Sequence, residues 1–315
     1  MPLEPGFQPV PGYTLIQPLG AGAFGEVWDA VGSNRFHVAL KFLDTRARSS
    51  GMIADEIRTL RALEALKHPH IIPLLGVHAH SKYVILVMER ADGSLADLQR
   101  AYLEQTGGNI PPDHALDLLE QAARALDFMA SARIPGLASS RGLQHCDIKP
   151  SNLLLVGNRL KVGDFGLCSG SGLITHRGGW KGTPPYAAPE LFNGAASATT
   201  DQFALAVSFC ELVMGRRPFW PAATAANPPT GIPIDLTKLR EREFPIIARA
   251  LHPYPSSRYP TCLAFIEAMR KACSNPRGNA SVRIYPRGLR GSLNKASSGR
   301  HRAVKLSTLN MDRKP

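Results

Sequence analysis

Apolar and polar positions alternate along residues 13–45, between turns that are rich in glycine. A period of two is typical of strands that bury one face. Segments with strand character occur at 13–16, 25–28, 37–42, 71–77 and 83–88. Residues 52–67 instead carry apolar side chains at helical spacing. The pattern therefore predicts a small antiparallel sheet with one helix over residues 13–90, after an N-terminal extension at 1–12.

This alternation gives way to helical periodicity in the rest of the chain. Residues 113–132 predict a long amphipathic helix, whose apolar face is made of Ala115, Leu118, Leu119, Ala122, Leu126 and Met129. Residues 200–214 are mostly apolar, which predicts a buried central helix. Further helices are expected at 242–251 and 260–273. Residues 91–273 therefore predict a second, mainly helical lobe.

The net charge of +12 is concentrated at the C-terminal end. Residues 274–315 contain ten Lys or Arg and one acidic residue, which leaves about +3 for residues 1–273. The tail has no apolar periodicity, so we expect it to be disordered. Such a basic tail is either a solvated linker or an electrostatic contact with nucleic acid or an acidic membrane surface.

Composition and cysteine usage favour a reducing compartment. The 315-residue chain is 44% hydrophobic and 20% charged, which is an ordinary globular composition. Its five cysteines include no C-x-x-C pair, which argues against structural zinc and a disulfide framework. No apolar run has the length of a transmembrane helix, and the N-terminus does not resemble a secretory signal. We therefore expect a cytoplasmic protein.

A glycine-rich string and a lysine on a strand form the first candidate site. Residues 20–27 match G-x-G-x-x-G-x-V, with Gly20, Gly22 and Gly25 as the glycines. Glycines let backbone N–H groups approach phosphates closely. The same string occurs in dinucleotide-binding folds, but there a helix follows at once, whereas here a strand is predicted. Lys41, on the next predicted strand, is either a surface lysine or a phosphate ligand.

Two short motifs further along the chain carry the chemistry. Asp147, Lys149 and Asn152 form the string D-x-K-x-x-N, and D-F-G begins twelve residues later at Asp164. This set of residues suits the binding of metal ions, a triphosphate and an attacking hydroxyl. It resembles the catalytic loop and D-F-G segment of eukaryotic-like (Hanks-type) serine/threonine protein kinases. The resemblance covers residues 13–273 and implies the bilobal α+β kinase fold.

The resemblance implies transfer of the γ-phosphoryl group of Mg-ATP to protein Ser or Thr hydroxyls, including autophosphorylation, in signalling. Asp147 would orient the hydroxyl and accept its proton, and Lys149 would neutralise the transferring group. Asn152 and Asp164 would bind the metal, for which Mn²⁺ is an alternative to Mg²⁺. Lys41 would pair with phosphates and with a carboxylate of the following helix. Glu56 is the choice for that carboxylate, with Glu64 as the alternative.

The nucleotide-binding residues implied in the same way are Leu19, Gly20, Gly22, Gly25, Val27, Ala39, Lys41, Met88, Glu89, Ala91 and Leu154. Met88 would lie at the back of the adenine pocket. The Glu89 carbonyl and the Ala91 amide would pair with the adenine edge. Val27, Ala39 and Leu154 would sandwich the ring.

Residues 182–190 resemble the family's G-T-x-x-Y-x-A-P-E segment, which supports the peptide substrate. Thr183 would hydrogen-bond Asp147 and Lys149. Glu190 would pair with Arg258 in a structural role. Asp201, at the start of the helix predicted at 200–214, would hold the backbone of the catalytic loop.

Cys146 stands where most of the family has an arginine. That arginine contacts a phosphate on the activation loop, which a cysteine cannot do. The chain thus resembles the non-RD subset, whose activity depends less on loop phosphorylation. We expect alanine at Ser169, Ser171 and Thr175 to leave turnover nearly unchanged. A reactive thiol is the alternative role for Cys146.

Three other functions are alternatives to an active protein kinase. A pseudokinase would be expected to lack Lys41, Asp147, Asn152 or Asp164, and all four are present. A small-molecule kinase of related fold would usually lack the segment found at 182–190. A nucleic-acid-binding protein would act through the basic tail, with the kinase-like part incidental to it.

Overall fold

The computed structural model describes residues 3–22, 25–46, 50–80, 82–133, 142–165, 182–219 and 234–273. Within these ranges, the side chains of residues 50, 52, 55 and 56 lie outside the described part. The tail predicted at 274–315 and the loop residues Ser169, Ser171 and Thr175 also lie outside it.

A five-stranded antiparallel sheet forms the N-terminal lobe, with strand order β1-β2-β3-β5-β4. The strands are β1 (Tyr13–Gly22), β2 (Gly25–Gly32), β3 (His37–Asp44), β4 (Leu74–His80) and β5 (Tyr83–Glu89), with helix α1 at Ser50–Leu63. Both faces of β3 are buried. One face of the sheet packs in a cluster of its own, and the other joins the main core of the molecule.

The predicted N-terminal extension folds back onto the first of these two faces. Val10 is buried there, and Leu3 and Phe7 pack against the same cluster. The Leu15 N–H donates to the Phe7 carbonyl at 2.9 Å, and the Gly6 N–H donates to the Leu15 carbonyl at 2.8 Å. The described residues before β1 are therefore part of this lobe.

Helices and a three-stranded sheet form the C-terminal lobe. The helices are α2 (Leu95–Thr106), α3 (Pro112–Ser131), α4 (Thr200–Met214), α5 (Phe244–Ala250) and α6 (Cys262–Cys273), and the strands are β6 (Gly93–Ser94), β7 (Leu153–Val156) and β8 (Arg159–Val162). Helix α4 is buried on nearly every side, as its apolar sequence predicts. None of the described helices is long and apolar enough to cross a membrane.

Capping side chains fix where two of these helices begin. Ser94 and Asp97 cap the start of α2 reciprocally, and Gly107 ends this helix in the left-handed conformation. The start of α6 is capped from another helix, because both carboxylate oxygens of Asp127 on α3 accept backbone N–H groups, from Cys262 at 2.8 Å and Leu263 at 3.0 Å. This contact fixes α6 against α3.

The strand predicted at 71–77 begins later, at Leu74. Pro73 has no N–H to donate, so a regular ladder cannot include it. The residues before it pair with the other lobe instead. The Ile72 N–H donates to the Val162 carbonyl, and the Val162 N–H donates to the His70 carbonyl, each at 2.9 Å. The two lobes are therefore joined by backbone hydrogen bonds at this point.

Candidate active site

The carboxylate of Asp147 is buried, and three residues hold it in place. Lys149 Nζ lies 2.9 Å from its Oδ2. The Asn152 amide donates to the same oxygen at 3.0 Å and to the Asp147 carbonyl at 2.8 Å. The Thr183 N–H donates to Oδ1 at 3.0 Å. A carboxylate with this many donors is held in a fixed direction.

Thr183 also fixes the neighbouring lysine. Lys149 Nζ donates to Thr183 Oγ1 at 2.6 Å, in addition to its contact with Asp147. The sequence predicts both contacts of Thr183, and both are present in the structure. An ammonium group is thus held beside the carboxylate that would receive a hydroxyl proton.

Asp201, at the start of α4, anchors the backbone of the catalytic loop. Its two oxygens accept the N–H groups of His145, at 2.7 Å, and Cys146, at 2.8 Å. Burial raises the pKa of Asp201, while the neighbouring His145 side chain and these two N–H groups act in the opposite direction. The anchor holds Cys146 at a φ of 64°, a conformation that is uncommon for a residue with a side chain.

Lys41 and Asp164 form an ion pair between the two lobes. Lys41 lies on β3 and is almost completely buried, and its Nζ is 2.5 Å from Asp164 Oδ1. Asp164 follows β8 and has a φ of 65°. Glu56, the predicted partner of Lys41, lies on α1, but its side chain is outside the described part. Glu64, the alternative, lies beyond the end of that helix at Leu63.

The glycine string forms a β-hairpin. Gly20 and Gly22 lie on β1 and pair with Val27 and Gly25 of β2. Gly25 has a φ of 120°, and a Cβ at this position would lie 1.8 Å from the carbonyl oxygen of Phe42. Only glycine fits such a close approach of two backbones. Because a strand follows the glycines, the dinucleotide-binding alternative is excluded.

The strand register places several predicted nucleotide residues on one face of the sheet. Val27 is directly opposite Lys41, and Ala39 is directly opposite Met88. Side chains of residues two apart on a strand share a face, so Ala39 lies on the same face as Lys41. Leu154 comes from β7 of the other lobe. The predicted roof and floor of the adenine pocket therefore belong to different lobes.

The predicted edge of that pocket is the segment that links the lobes. Glu89 is the last residue of β5, and Ala91 follows two residues later. Residues 92–94 then pair with β7, starting with the Asp92 N–H donating to the Leu155 carbonyl at 2.7 Å. We call residues 89–91 the hinge. Leu19, which the resemblance also assigns to the nucleotide site, lies on β1 and is exposed.

Asn152 and Asp164 offer oxygen ligands, which suit a hard divalent cation. The Asn152 amide nitrogen is engaged by Asp147, which leaves Oδ1 as the atom that would bind a metal. The second ligand would be the carboxylate of Asp164. No cluster of three or more His, Cys, Asp or Glu that could hold a metal occurs among the described residues. Phosphate and water oxygens would have to complete the shell, as is typical of Mg²⁺.

The segment at 182–190 is held by two charged contacts. Arg258 donates to both carboxylate oxygens of Glu190, at 2.8 and 2.7 Å, as the sequence predicts. The hydroxyl of Tyr186 donates to the Glu211 carboxylate of α4. Burial and the charge of Glu211 raise the pKa of Tyr186, so this hydroxyl remains a donor.

Sequence reasoning does not single out the charged residues beside the hinge. Lys161 Nζ on β8 lies 2.5 Å from Glu89 Oε2, and Arg90 Nε lies 3.1 Å from Asp29 Oδ1 on β2. The only sequence pattern that bears on these residues is the alternation of faces along a strand. It places Asp29 on the same face as Val27, because the two are two residues apart. That signal does not identify a partner.

Comparisons with known proteins agree with this site. The profile of the protein kinase domain family matches residues 13–282. Serine/threonine-protein kinase PknA of Mycobacterium tuberculosis is 31% identical over 325 residues, which cover 94% of this chain and 71% of that protein. The carbon catabolite-derepressing protein kinase of Candida tropicalis is 32% identical over 231 residues, or 70% of this chain and 34% of that protein.

Solved structures agree as well. The crystal structure of the Mycobacterium tuberculosis PknI kinase domain superposes with a TM-score of 0.65 at 25% identity, and the match covers 87% of this chain and 100% of that domain. The fold and site thus define a phosphotransferase that uses ATP and a divalent metal. The chain belongs to the protein kinase family. The predicted bilobal α+β fold and the predicted enzyme class are confirmed.

Proposed function

We propose that this chain phosphorylates Ser and Thr hydroxyls of proteins, itself included, with Mg-ATP as the donor, and that it acts in signalling. The observation that carries the proposal is the buried Asp147 carboxylate, held by Lys149, Asn152 and Thr183. The similarity to the serine/threonine kinase PknA over 94% of this chain supports the acceptor class. The contact between Lys149 and Thr183 supports it as well.

Phosphoryl transfer needs positioning and charge neutralisation more than covalent help. Asp147 orients the acceptor hydroxyl and receives its proton. Lys149, fixed beside it, neutralises charge on the transferring phosphoryl group. Asn152 and Asp164 would hold the divalent metal, for which Mn²⁺ is an alternative to Mg²⁺. A bound divalent ion would supply positive charge at the β- and γ-phosphate oxygens.

The nucleotide is held between the two lobes, whose boundary we place between residues 90 and 91. Lys41 pairs with the phosphates and is oriented by Glu56, and the glycine hairpin closes over the phosphates. The adenine ring lies between Ala39 and Leu154 and pairs with the backbone of the hinge. The strand register supports this arrangement, because Lys41 and Ala39 share a face.

We further propose that the enzyme belongs to the non-RD subset and needs no phosphate on its activation loop. Cys146 is buried in an apolar cluster with Ala187 and Leu191, so position 146 itself supplies no cation to pair with a phosphate. Combined alanine substitution of Ser169, Ser171 and Thr175 should leave turnover within about twofold, whereas phosphate-dependent kinases lose activity when the loop is not ordered. A tenfold or larger loss of turnover would contradict this proposal.

The basic segment 274–315 is proposed as a separate tail that contacts nucleic acid or an acidic surface. The support is its composition, ten Lys or Arg against one acidic residue. Binding to duplex DNA and to anionic vesicles should weaken steeply with salt for the full chain and be absent for residues 1–273. Equal binding by both proteins would exclude the tail as the contact.

The main proposal is tested by transfer of labelled γ-phosphate from Mg-ATP to a basic protein and to the enzyme itself. Wild type is compared with Asp164→Ala, and the labelled residues are identified by hydrolysis. Label on Ser and Thr that disappears in the variant supports the proposal. ATP binding without transfer in wild type would favour the pseudokinase alternative, and label confined to Tyr would contradict the proposed acceptor.

A further inference from the structure

Two neighbouring hinge residues of opposite charge are anchored to opposite lobes. The Glu89 carboxylate accepts a hydrogen bond from Lys161 Nζ, on β8 of the C-terminal lobe, at 2.5 Å. The Arg90 guanidinium reaches back to the N-terminal lobe, where its Nε lies 3.1 Å from Asp29 Oδ1. We call these two contacts the hinge clamp.

Both anchors are more buried than the hinge residues that they hold. The side chain of Asp29 is 3% exposed, and that of Lys161 is 14% exposed. Arg90 Nε is buried and has no hydrogen-bond acceptor among the described residues, so its contact with Asp29 is held by charge. His37 Nδ1 lies 2.8 Å from the same Asp29 oxygen. A buried carboxylate of this kind needs a cationic partner.

The register connects each anchor to the proposed adenine pocket. Asp29 is directly opposite Ala39, the proposed roof, and Lys161 is directly opposite Leu154, the proposed floor. Directly opposite residues of an antiparallel pair place their side chains on the same face. Asp29 and Lys161 therefore lie beside the roof and the floor on the cleft side of each sheet.

We propose that Lys161 and Asp29 are positioning residues for nucleotide binding, which fix the hinge through Glu89 and Arg90. The inference rests on the proposed function, in which the Glu89 carbonyl and the Ala91 amide pair with adenine. That carbonyl belongs to the peptide unit that joins Glu89 to Arg90. Because one side chain is tied to each lobe, the peptide unit between them has little freedom to rotate.

The clamp acts by preorganisation. A hinge that is already oriented loses less conformational freedom when the nucleotide binds, and this lowers the dissociation constant without touching the reacting phosphate. Its loss should therefore weaken nucleotide binding and leave kcat at saturating ATP nearly unchanged, because the interaction is the same in the ground and transition states. A purely structural role would change stability but would not separate these two constants.

The test is the binding of ADP by calorimetry, together with kcat and KM for ATP, in the full chain. Lys161→Met should raise the Kd of ADP and the KM for ATP roughly five- to tenfold, with kcat within about twofold of wild type. Asp29→Asn should act in the same direction. Lys161→Arg should restore binding, since it keeps the charge. Arg159→Met, an exposed cation on the same strand, is the matched control and should bind like wild type.

Two further variants decide what a negative result means. The double variant Glu89→Lys with Lys161→Glu reverses the pair and should bind more tightly than either single variant. Ala39→Phe fills the proposed roof and should abolish ADP binding. If Ala39→Phe abolishes ADP binding and Lys161→Met leaves it unchanged, the proposed adenine pocket is supported and the proposed role of the hinge clamp is wrong. If neither variant changes binding, the proposed adenine contacts are wrong as well.

Discussion

Arg258 and Glu190 form a buried ion pair between residues 68 positions apart in the chain, with two hydrogen bonds of 2.8 and 2.7 Å. The Arg258 side chain is 0% exposed, and it also donates to the backbone carbonyls of Thr199, Pro253 and His252. The pair connects the end of the segment at 182–190 to the chain that leads into α6. It therefore holds the end of the proposed peptide platform in place.

Removing one partner of this pair should destabilise the folded protein. Arg258→Met leaves the largely buried Glu190 carboxylate without its cation, which we expect to lower the free energy of unfolding by about 3–5 kcal/mol. Arg270→Met is the matched control, because Arg270 is 40% exposed where it pairs with Asp117 and Glu120, and an exposed pair contributes at most about 1 kcal/mol. Urea unfolding of both variants measures the difference. Equal losses would contradict a dominant role of burial.

The same pair predicts a dependence of stability on pH. Burial raises the pKa of Glu190, but the hydrogen bonds and charge of Arg258 outweigh burial, and the pKa falls below its usual 4.5. A carboxyl group whose pKa is lowered in the folded protein stabilises the fold at every pH above the pKa that it has in the unfolded chain. This contribution disappears as the pH falls through the pKa of the folded state.

Unfolding free energies of wild type and Glu190→Gln, measured across this pH range, test the sign. The advantage of wild type should be constant from about pH 7 to pH 5 and should shrink below about pH 4.5. An advantage that grows on acidification would mean that Glu190 has a raised pKa instead.

Sequence patterns predict the parts of this fold and site that depend on nearby residues. The largely apolar stretches of β3 and α4 result from burial on both faces of the strand and on nearly every side of the helix, which composition records directly. Asp147, Lys149 and Asn152 lie within one short loop, so their spacing alone brings them together. The start of β4 differs from the prediction, because β4 begins at Leu74, after Pro73.

Contacts between distant, individually ordinary residues could not be predicted in the same way. Lys161 and Glu89 are 72 positions apart, and neither position has a local pattern that selects the other. The cap that Asp127 provides for α6 is a similar case, since it depends on how α3 packs against α6. The family resemblance predicts the pair of Glu190 and Arg258, but the burial that gives it its energy appears only in the structure.

Thr183 should matter for turnover through its hydroxyl. Thr183→Val keeps the shape and the backbone N–H that donates to Asp147, but it removes the oxygen that holds Lys149. We expect kcat to fall about tenfold, the effect of one lost orienting hydrogen bond, with KM for ATP unchanged. Thr183→Ser retains the hydroxyl and should be close to wild type. Steady-state kinetics with a protein substrate compare the two, and equal turnover would remove Thr183 from the mechanism.

The glycine hairpin offers a matched pair of substitutions. A Cβ at Gly25 would lie 1.8 Å from the Phe42 carbonyl oxygen, whereas a Cβ at Gly20 has nothing within 4 Å. Gly25→Ala should therefore cost at least about 2 kcal/mol of stability, because backbone must move to admit it. Gly20→Ala should stay within about 0.5 kcal/mol of wild type. Thermal and urea unfolding measure both, and a stable Gly25→Ala protein would show that the hairpin has another conformation.

Two substitutions at Cys146 separate a packing role of this side chain from a reactive or charge-sensing one. The side chain is buried beside Ala187 and Leu191, and its thiol donates to the Gln144 carbonyl at 3.6 Å. Cys146→Ala removes one sulfur and should cost about 1 kcal/mol while turnover is retained, which excludes a reactive thiol in catalysis. Cys146→Arg should cost more than about 3 kcal/mol, because the guanidinium would enter an apolar cluster without a partner. Urea unfolding and turnover of the two variants test this, and a stable, fully active Cys146→Arg enzyme would mean that the cluster already accommodates the arginine found in most of the family.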